Sequence, residues 1–79
     1  MAKTLKIKNI DKSVSNEQLT KKIRQYGRVR SVRIQTDNVT FQSIGVADVE
    51  MESAEEVEKV ITSLNGEMFQ GKEIIAQRS

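Results

Sequence analysis

Apolar and polar positions alternate with a period of two in TLKIKNI (4–10), where Leu5 and Ile7 fall on one side and Lys6 and Lys8 on the other. That is the pattern of a half-buried strand. Leu19, Ile23 and Tyr26 then recur at helical spacing. Ser15 with Gln18 predicts a capping box that starts this helix, and Gly27 predicts its stop. RVRSVRI (28–34) returns to a period of two, with Val32 and Ile34 inward and Arg33 outward. TDN (36–38) reads as a turn and residues 41–50 as the next strand. Ser53 with Glu56 predicts a second capping box ahead of an apolar helical face of Val57, Val60, Ile61 and Leu64. Asn65-Gly66 ends that helix, and Gly71 precedes a last strand, KEIIAQ (72–77).

The order strand, helix, strand, strand, helix, strand points to an α+β, ferredoxin-like βαββαβ fold. In it a four-stranded antiparallel sheet carries both helices on one face. The third strand, QSIGVADV (42–49), says which face is which. Ser43, Gly45, Ala47 and Val49 share one side, and Gln42, Ile44, Val46 and Asp48 the other. The small residues suit a bed on which a helix can lie closely, so their side is expected to be the core. The side bearing Ile44 and Val46 is expected to be the open face.

The chain has 79 residues, with no Cys, His or Pro. This length suits a single domain, 1–79, with a modest core in which every apolar position is in use. Lacking Cys and His, the chain has no disulfide, thiolate nucleophile or imidazole base, and neither a metal site nor a cofactor is expected. No run is long and apolar enough for a membrane span, and MAKTLKIKNI lacks the apolar stretch of a secretory signal. A cytoplasmic protein is expected, with the nucleus as the alternative compartment. The chain runs only two residues past the last expected strand, so no tail is expected to cover the sheet.

Net charge is +2 but unevenly placed. Residues 1–39 hold ten Lys/Arg against three acids, a balance of +7, and residues 40–79 hold three against eight, a balance of −5. This asymmetry suits a polyanionic partner, electrostatic pairing between molecules, or two solvated helices of opposite charge.

The chain resembles an RNA recognition motif (RRM) over nearly its whole length. LKIKNI (5–10) occupies the place of that family's first-strand motif, RNP2, and QSIGVADV that of its third-strand motif, RNP1. SAEEVEKVITSLNGEMFQGKEI is the most specific piece, with its capped helix, its Leu-Asn-Gly ending, Phe69, and Gly71-Lys72 before an apolar strand. The resemblance implies binding of single-stranded RNA, or single-stranded DNA, on the open sheet face. In the family, aromatic side chains of RNP1 and RNP2 stack on bases. Here Lys6 stands at the RNP2 ring position, Ile44 and Val46 stand at the two RNP1 ring positions, and Gln42 replaces the leading basic residue. The rings left are Tyr26 and Phe69, placed by pattern in the core, and Phe41, also expected to pack there.

Without rings, binding is expected to be mainly electrostatic and weakly sequence-specific. Lys6 and Lys8 point onto the open face, where they are expected to neighbour Ile44 and Val46. Arg33 joins them from the second strand, and Ile75 and Gln77 from the fourth. The cations would hold phosphates, Ile44, Val46 and Ile75 would form an apolar floor, and Gln35, Gln42 and Gln77 would read base edges. A secondary basic edge is expected from Lys21, Lys22, Arg24, Arg28 and Arg30. The loop TDNVT (36–40) contains no Lys or Arg, so it lacks a common source of extra RNA contacts. The alternative is a protein-interaction module, by partner capture or self-association, using the aliphatic sheet face or the acidic second helix with Glu52, Glu55, Glu56 and Glu58. An enzyme is not expected. NIDKSVS (9–15) lacks the Arg of an acylphosphatase loop, and the carboxylates form no acid–base pair.

Overall fold

The computed structural model describes residues 3–79. Its elements run β1 (Thr4–Lys8), α1 (Asn16–Arg24), β2 (Val29–Thr36), β3 (Ser43–Met51), α2 (Ala54–Leu64), β4 (Met68–Phe69), β5 (Lys72–Glu73) and β6 (Ile75–Arg78). Four strands form one antiparallel sheet in the order β2-β3-β1-β6. Both helices pack on one face, as the element order predicts. Leu5, Ile7, Ala47, Val49, Met51 and Ala76 of the sheet are buried against Leu19 and Ile23 of α1 and Val57, Val60 and Leu64 of α2.

The expected strand KEIIAQ is interrupted. Lys72–Glu73 pairs with Met68–Phe69 as a small separate hairpin, Ile74 turns fully into the core, and only then does β6 join the main sheet. Strands of two residues have no period to read.

The first capping box forms in full, with Gln18 N–H donating to Ser15 Oγ at 3.1 Å and Ser15 N–H donating to Gln18 Oε1 at 3.0 Å. The second is only half made. Glu56 N–H donates to Ser53 Oγ at 3.2 Å, but the Glu56 carboxylate accepts from the Ser53 hydroxyl and the backbone N–H of Arg28. The acid is diverted because the loop before β2 offers it an N–H and a guanidinium together.

Two glycines serve close approach rather than the roles expected of them. Gly27 is not left-handed, and α1 has already ended at its cap, Gln25. A Cβ on Gly27 would lie 2.9 Å from Met51 Cε and 3.1 Å from Glu56 Cβ, so the bare backbone lets this loop press on both. Gly45 does lie on the core side, but it beds no helix. Its φ is +81°, a Cβ there would stand 2.9 Å from the Ile10 carbonyl oxygen, and its own carbonyl accepts from Ile10 N–H at 3.0 Å. The loop after β1 is what lies on it. That loop starts at Asn9, whose φ of 61° breaks the alternation and turns Ile10 into the core.

Tyr26 and Phe69 pack against the core as expected, but Phe41 does not. It sits in the β2–β3 loop with φ 60° and is 78% exposed. A left-handed residue just ahead of β3 takes its side chain out of the strand's alternation, which is why continuing the period-two pattern misplaces it.

Candidate nucleic-acid interface

The sheet face away from the helices carries Lys6 and Lys8 from β1, Arg33 and Gln35 from β2, Ile44, Val46, Asp48 and Glu50 from β3, and Ile75 and Gln77 from β6. Burial alternates accordingly: Ala47, Val49 and Ala76 are covered, whereas Ile44 and Ile75 remain 51% and 44% exposed. Of the three aliphatic residues expected on this face, Ile44 and Ile75 are thus exposed and Val46 is half-buried.

The register rearranges its cations. Lys6 pairs with Asp48 on one side and Gln77 on the other, and Arg33 also pairs with Asp48, so one row across the sheet reads Arg33, Asp48, Lys6, Gln77. Lys6 Nζ is 3.9 Å from Asp48 Oδ1, and Gln35 Nε2 donates to Asp48 Oδ2 at 2.8 Å. Lys6 thus faces a carboxylate in place of the expected Ile44 and Val46, and the Gln35 amide is engaged within the protein. Lys8 lies one row further along, across from Ile75.

At that end of the sheet Ile44, Gly45 and Val46 line a shallow depression together with Asn9, Ile10, Lys12 and Lys72. Lys12 comes from the loop after β1 and Lys72 from β5, two connections that the topology brings to the same sheet edge. Asn9 fixes them relative to each other, its Nδ2 donating to the Glu73 carbonyl at 2.7 Å. Sequence reading missed Lys12 because it belongs to a loop, and Lys72 because one unbroken strand over 72–77 would put it on the side opposite Ile75 and Gln77. The observed strand order brings the two together, since β6 pairs antiparallel with β1 and begins where β1 ends. Asp11, beside Lys12, has its carboxyl held below the usual range, chiefly by the Ser13 hydroxyl and backbone N–H, with Lys72 contributing.

The expected basic edge comes together only in part, with Lys21 sharing one cleft with Arg24 and another with Lys22. Lys22 Nζ donates to Glu67 at 2.8 Å and lies 6.0 Å from the Phe69 ring centroid; the hydrogen bond to Glu67 raises its pKa. Arg28 pairs with Glu56 at 3.4 Å. Lys21 and Arg24 line a cleft on the outer side of α1 with Asn16, Glu17 and Thr20, in the layer opposite the open sheet face. Arg30 is exposed at an irregularity in β2. Among the described residues the ion pairs are Lys6–Asp48, Lys22–Glu67, Arg28–Glu56 and Arg78–Glu58. Three of them join a cation of the basic half to an acid of the other, so a minor part of the charge asymmetry is matched within the fold. The Arg28 and Arg78 pairs occupy Glu56 and Glu58, two of the three acids on α2; Glu52, expected with them, lies ahead of the cap Ser53 and outside the helix.

The depression is lined by Asn9 and Ile10 of the segment that resembles RNP2 and by Ile44, Gly45 and Val46 of the one that resembles RNP1, and comparison with known proteins gives the same assignment. The family described as RNA recognition motif matches residues 5–75. Small ribosomal subunit protein cS22 of Arabidopsis thaliana is 36% identical over 73 residues, which are 92% of this chain and 29% of that protein. RbpE of Nostoc sp. (strain PCC 7120), whose name describes an RNA-binding protein, is 36% identical over 64 residues, 81% of this chain and 65% of its own. The chain thus spans less than two thirds of the length of either relative. The crystal structure of RNA Binding Protein PG1 superimposes with a TM-score of 0.93 at 33% identity, covering 99% of this chain and 94% of its own. This chain belongs to the RNA recognition motif family.

Proposed function

We propose that this domain binds single-stranded RNA across the open face of β1 and β3, with charge supplying most of the affinity and little preference for sequence. The observation that carries the reading is the depression itself. Ile44 and Val46, at the positions where the family stacks rings on bases, form an apolar floor between Lys12 and Lys72. Lys8 and Arg33 add exposed cations to the same face, and Ile75, Gln42 and Gln77 extend it. Lys6 contributes less than its position suggests, because Asp48 stands against it. Family membership and relatives named as a ribosomal subunit protein and an RNA-binding protein support the reading, as they support a cytoplasmic or organellar setting.

Fluorescence anisotropy of labelled random-sequence RNA tests it, read from about 50 to about 200 mM salt. Four phosphate contacts, from Lys8, Lys12, Arg33 and Lys72, predict a slope of about −3 in log affinity against log salt, from roughly −0.7 per contact on a single strand. Lys12→Ala with Lys72→Ala should weaken binding and flatten that slope. Absence of binding even at low salt defeats the proposal. DNA of matched sequence separates RNA from single-stranded DNA.

A second reading rests on the exposure of Ile44 and Ile75, which also suits a protein partner. It predicts association that persists in moderate salt and is lost in Ile44→Asp.

A further inference from the structure

The sheet lacks stacking rings, yet the domain displays one. The chain has one Tyr, two Phe and no Trp. Tyr26 and Phe69 are packed against the core, which leaves Phe41 as the ring open to a partner. From this placement we infer that Phe41 is the base-stacking side chain of the domain. It supplies from the β2–β3 loop the aromatic platform that Lys6, Ile44 and Val46 do not. The inference rests on the RNA-binding reading above and assigns one residue within it.

Three observations converge. The first is position. β2 ends and β3 begins at the sheet edge where β1 ends and β6 begins, so Phe41 lies at the same end of the sheet as Ile44, Lys12 and Lys72. A strand whose phosphates meet those cations can lay a base on the ring.

The second is strain without return. A bulky residue at φ 60° is disfavoured, and a ring 78% exposed recovers little of that cost through packing. The fold itself would be better served by Gly or Asn there.

The third is rigidity. The Asp37 carboxylate accepts from Val39 N–H at 2.7 Å and from Thr40 N–H at 3.0 Å. Phe41 N–H donates to the Asp37 carbonyl at 2.9 Å, and Asp37 N–H donates to the Gln42 carbonyl at 2.8 Å. The ring is held out on a closed turn, so stacking needs little further ordering of the loop.

The test measures affinity for short random-sequence RNA in wild type, Phe41→Ala, Phe41→Leu and Phe41→Trp, each checked for folding by circular dichroism. Phe41→Ala should bind about five- to 150-fold more weakly, the range of one base–aromatic stack. Phe41→Leu, apolar but ringless, should also lose affinity. Phe41→Trp should bind at least as well as wild type, and its indole, the only one in the chain, should be quenched by RNA. Wild-type binding with Phe41→Ala or Phe41→Leu unchanged, or an unquenched Phe41→Trp, overturns the role of Phe41 and leaves the RNA reading standing. Wild type that binds no RNA at low salt overturns both.

Discussion

Asp48 stands directly across the β3–β1 pairing from Lys6, with its Oδ1 3.9 Å from the ammonium, and it is the register partner of Arg33 on the other side. One acid thus sits between two of the cations that the open face offers a phosphate. Both side chains of the Lys6–Asp48 pair are partly exposed, so the pair is worth little to stability, on the order of 0–1 kcal/mol. Its larger effect falls on anions approaching the sheet. Asp48→Asn keeps the shape and an oxygen for Gln35 but removes the charge. It should leave thermal stability nearly unchanged, tighten RNA binding several-fold and steepen the salt slope by about 0.7 as Lys6 becomes available. Unchanged affinity would remove Lys6 from the interface.

Gly45 joins the sheet to the loop that carries Lys12. Alanine there meets two penalties at once, a left-handed backbone and a Cβ 2.9 Å from the Ile10 carbonyl oxygen. The carbonyl is main chain and cannot swing away as a side-chain tip could. Gly45→Ala should lower the unfolding free energy by roughly 2–4 kcal/mol, read from urea denaturation. Gly71→Ala is the control. It shares the positive φ, but its Cβ would meet nothing within 4 Å, so its loss should be smaller. Equal losses would mean that backbone conformation, and not the Ile10 contact, dominates.

What the sequence made legible follows from which features are local. Leu5/Ile7, Leu19/Ile23 and Val57/Val60/Leu64 repeat with fixed periods, and all are buried as those periods require. Ser15 and Gln18 are three residues apart, so their reciprocal bonds needed no knowledge of the fold. Features that depend on a partner distant in sequence were not readable. Glu56 looked free to complete its box until Arg28, far back in the chain, claimed its carboxylate. Lys6 looked like a free cation until the register set Asp48 opposite it. The exposure of Phe41 was hidden for another reason. One positive φ ends the alternation from which facing is inferred, and Asn9 does the same to Ile10.

Acid should loosen the contact between α2 and the loop before β2. The Glu56 carboxyl is held below the usual range, first by the backbone N–H of Arg28 and then by the Ser53 hydroxyl and the Arg28 guanidinium. Asp37 is lowered by the N–H groups of Thr40 and Val39, and Glu58 by Arg78. Carboxyls with lowered folded pKa stabilise the fold above their unfolded pKa, and that stabilisation is lost as pH falls through the folded one. Urea midpoints should therefore be flat near neutrality and drop below about pH 4.5. Glu56→Gln should be less stable near neutrality and lose less on acidification. An acid limb identical in both proteins would show that Glu56 is not among the groups that set it.

Phe41 sets stability against binding. At φ 60° a phenylalanine strains the loop, and with its ring exposed little packing is lost on removal. Phe41→Gly relieves a left-handed cost of about 1–2 kcal/mol but gives back roughly 0.5–1 kcal/mol through the freer unfolded chain. The variant should come out more stable by about 0.5–1 kcal/mol in urea denaturation, while its RNA affinity falls as for Phe41→Ala. That combination is what a residue kept for binding predicts. A variant that loses more than about 1 kcal/mol would instead show the ring holding the β2–β3 loop to the fold. Asp37→Ala offers an independent check, because it removes the carboxylate that fixes Val39 and Thr40 without touching the ring. If the closed turn presents the ring ready to stack, Asp37→Ala should weaken RNA binding several-fold, mainly through slower association as the loop must order first.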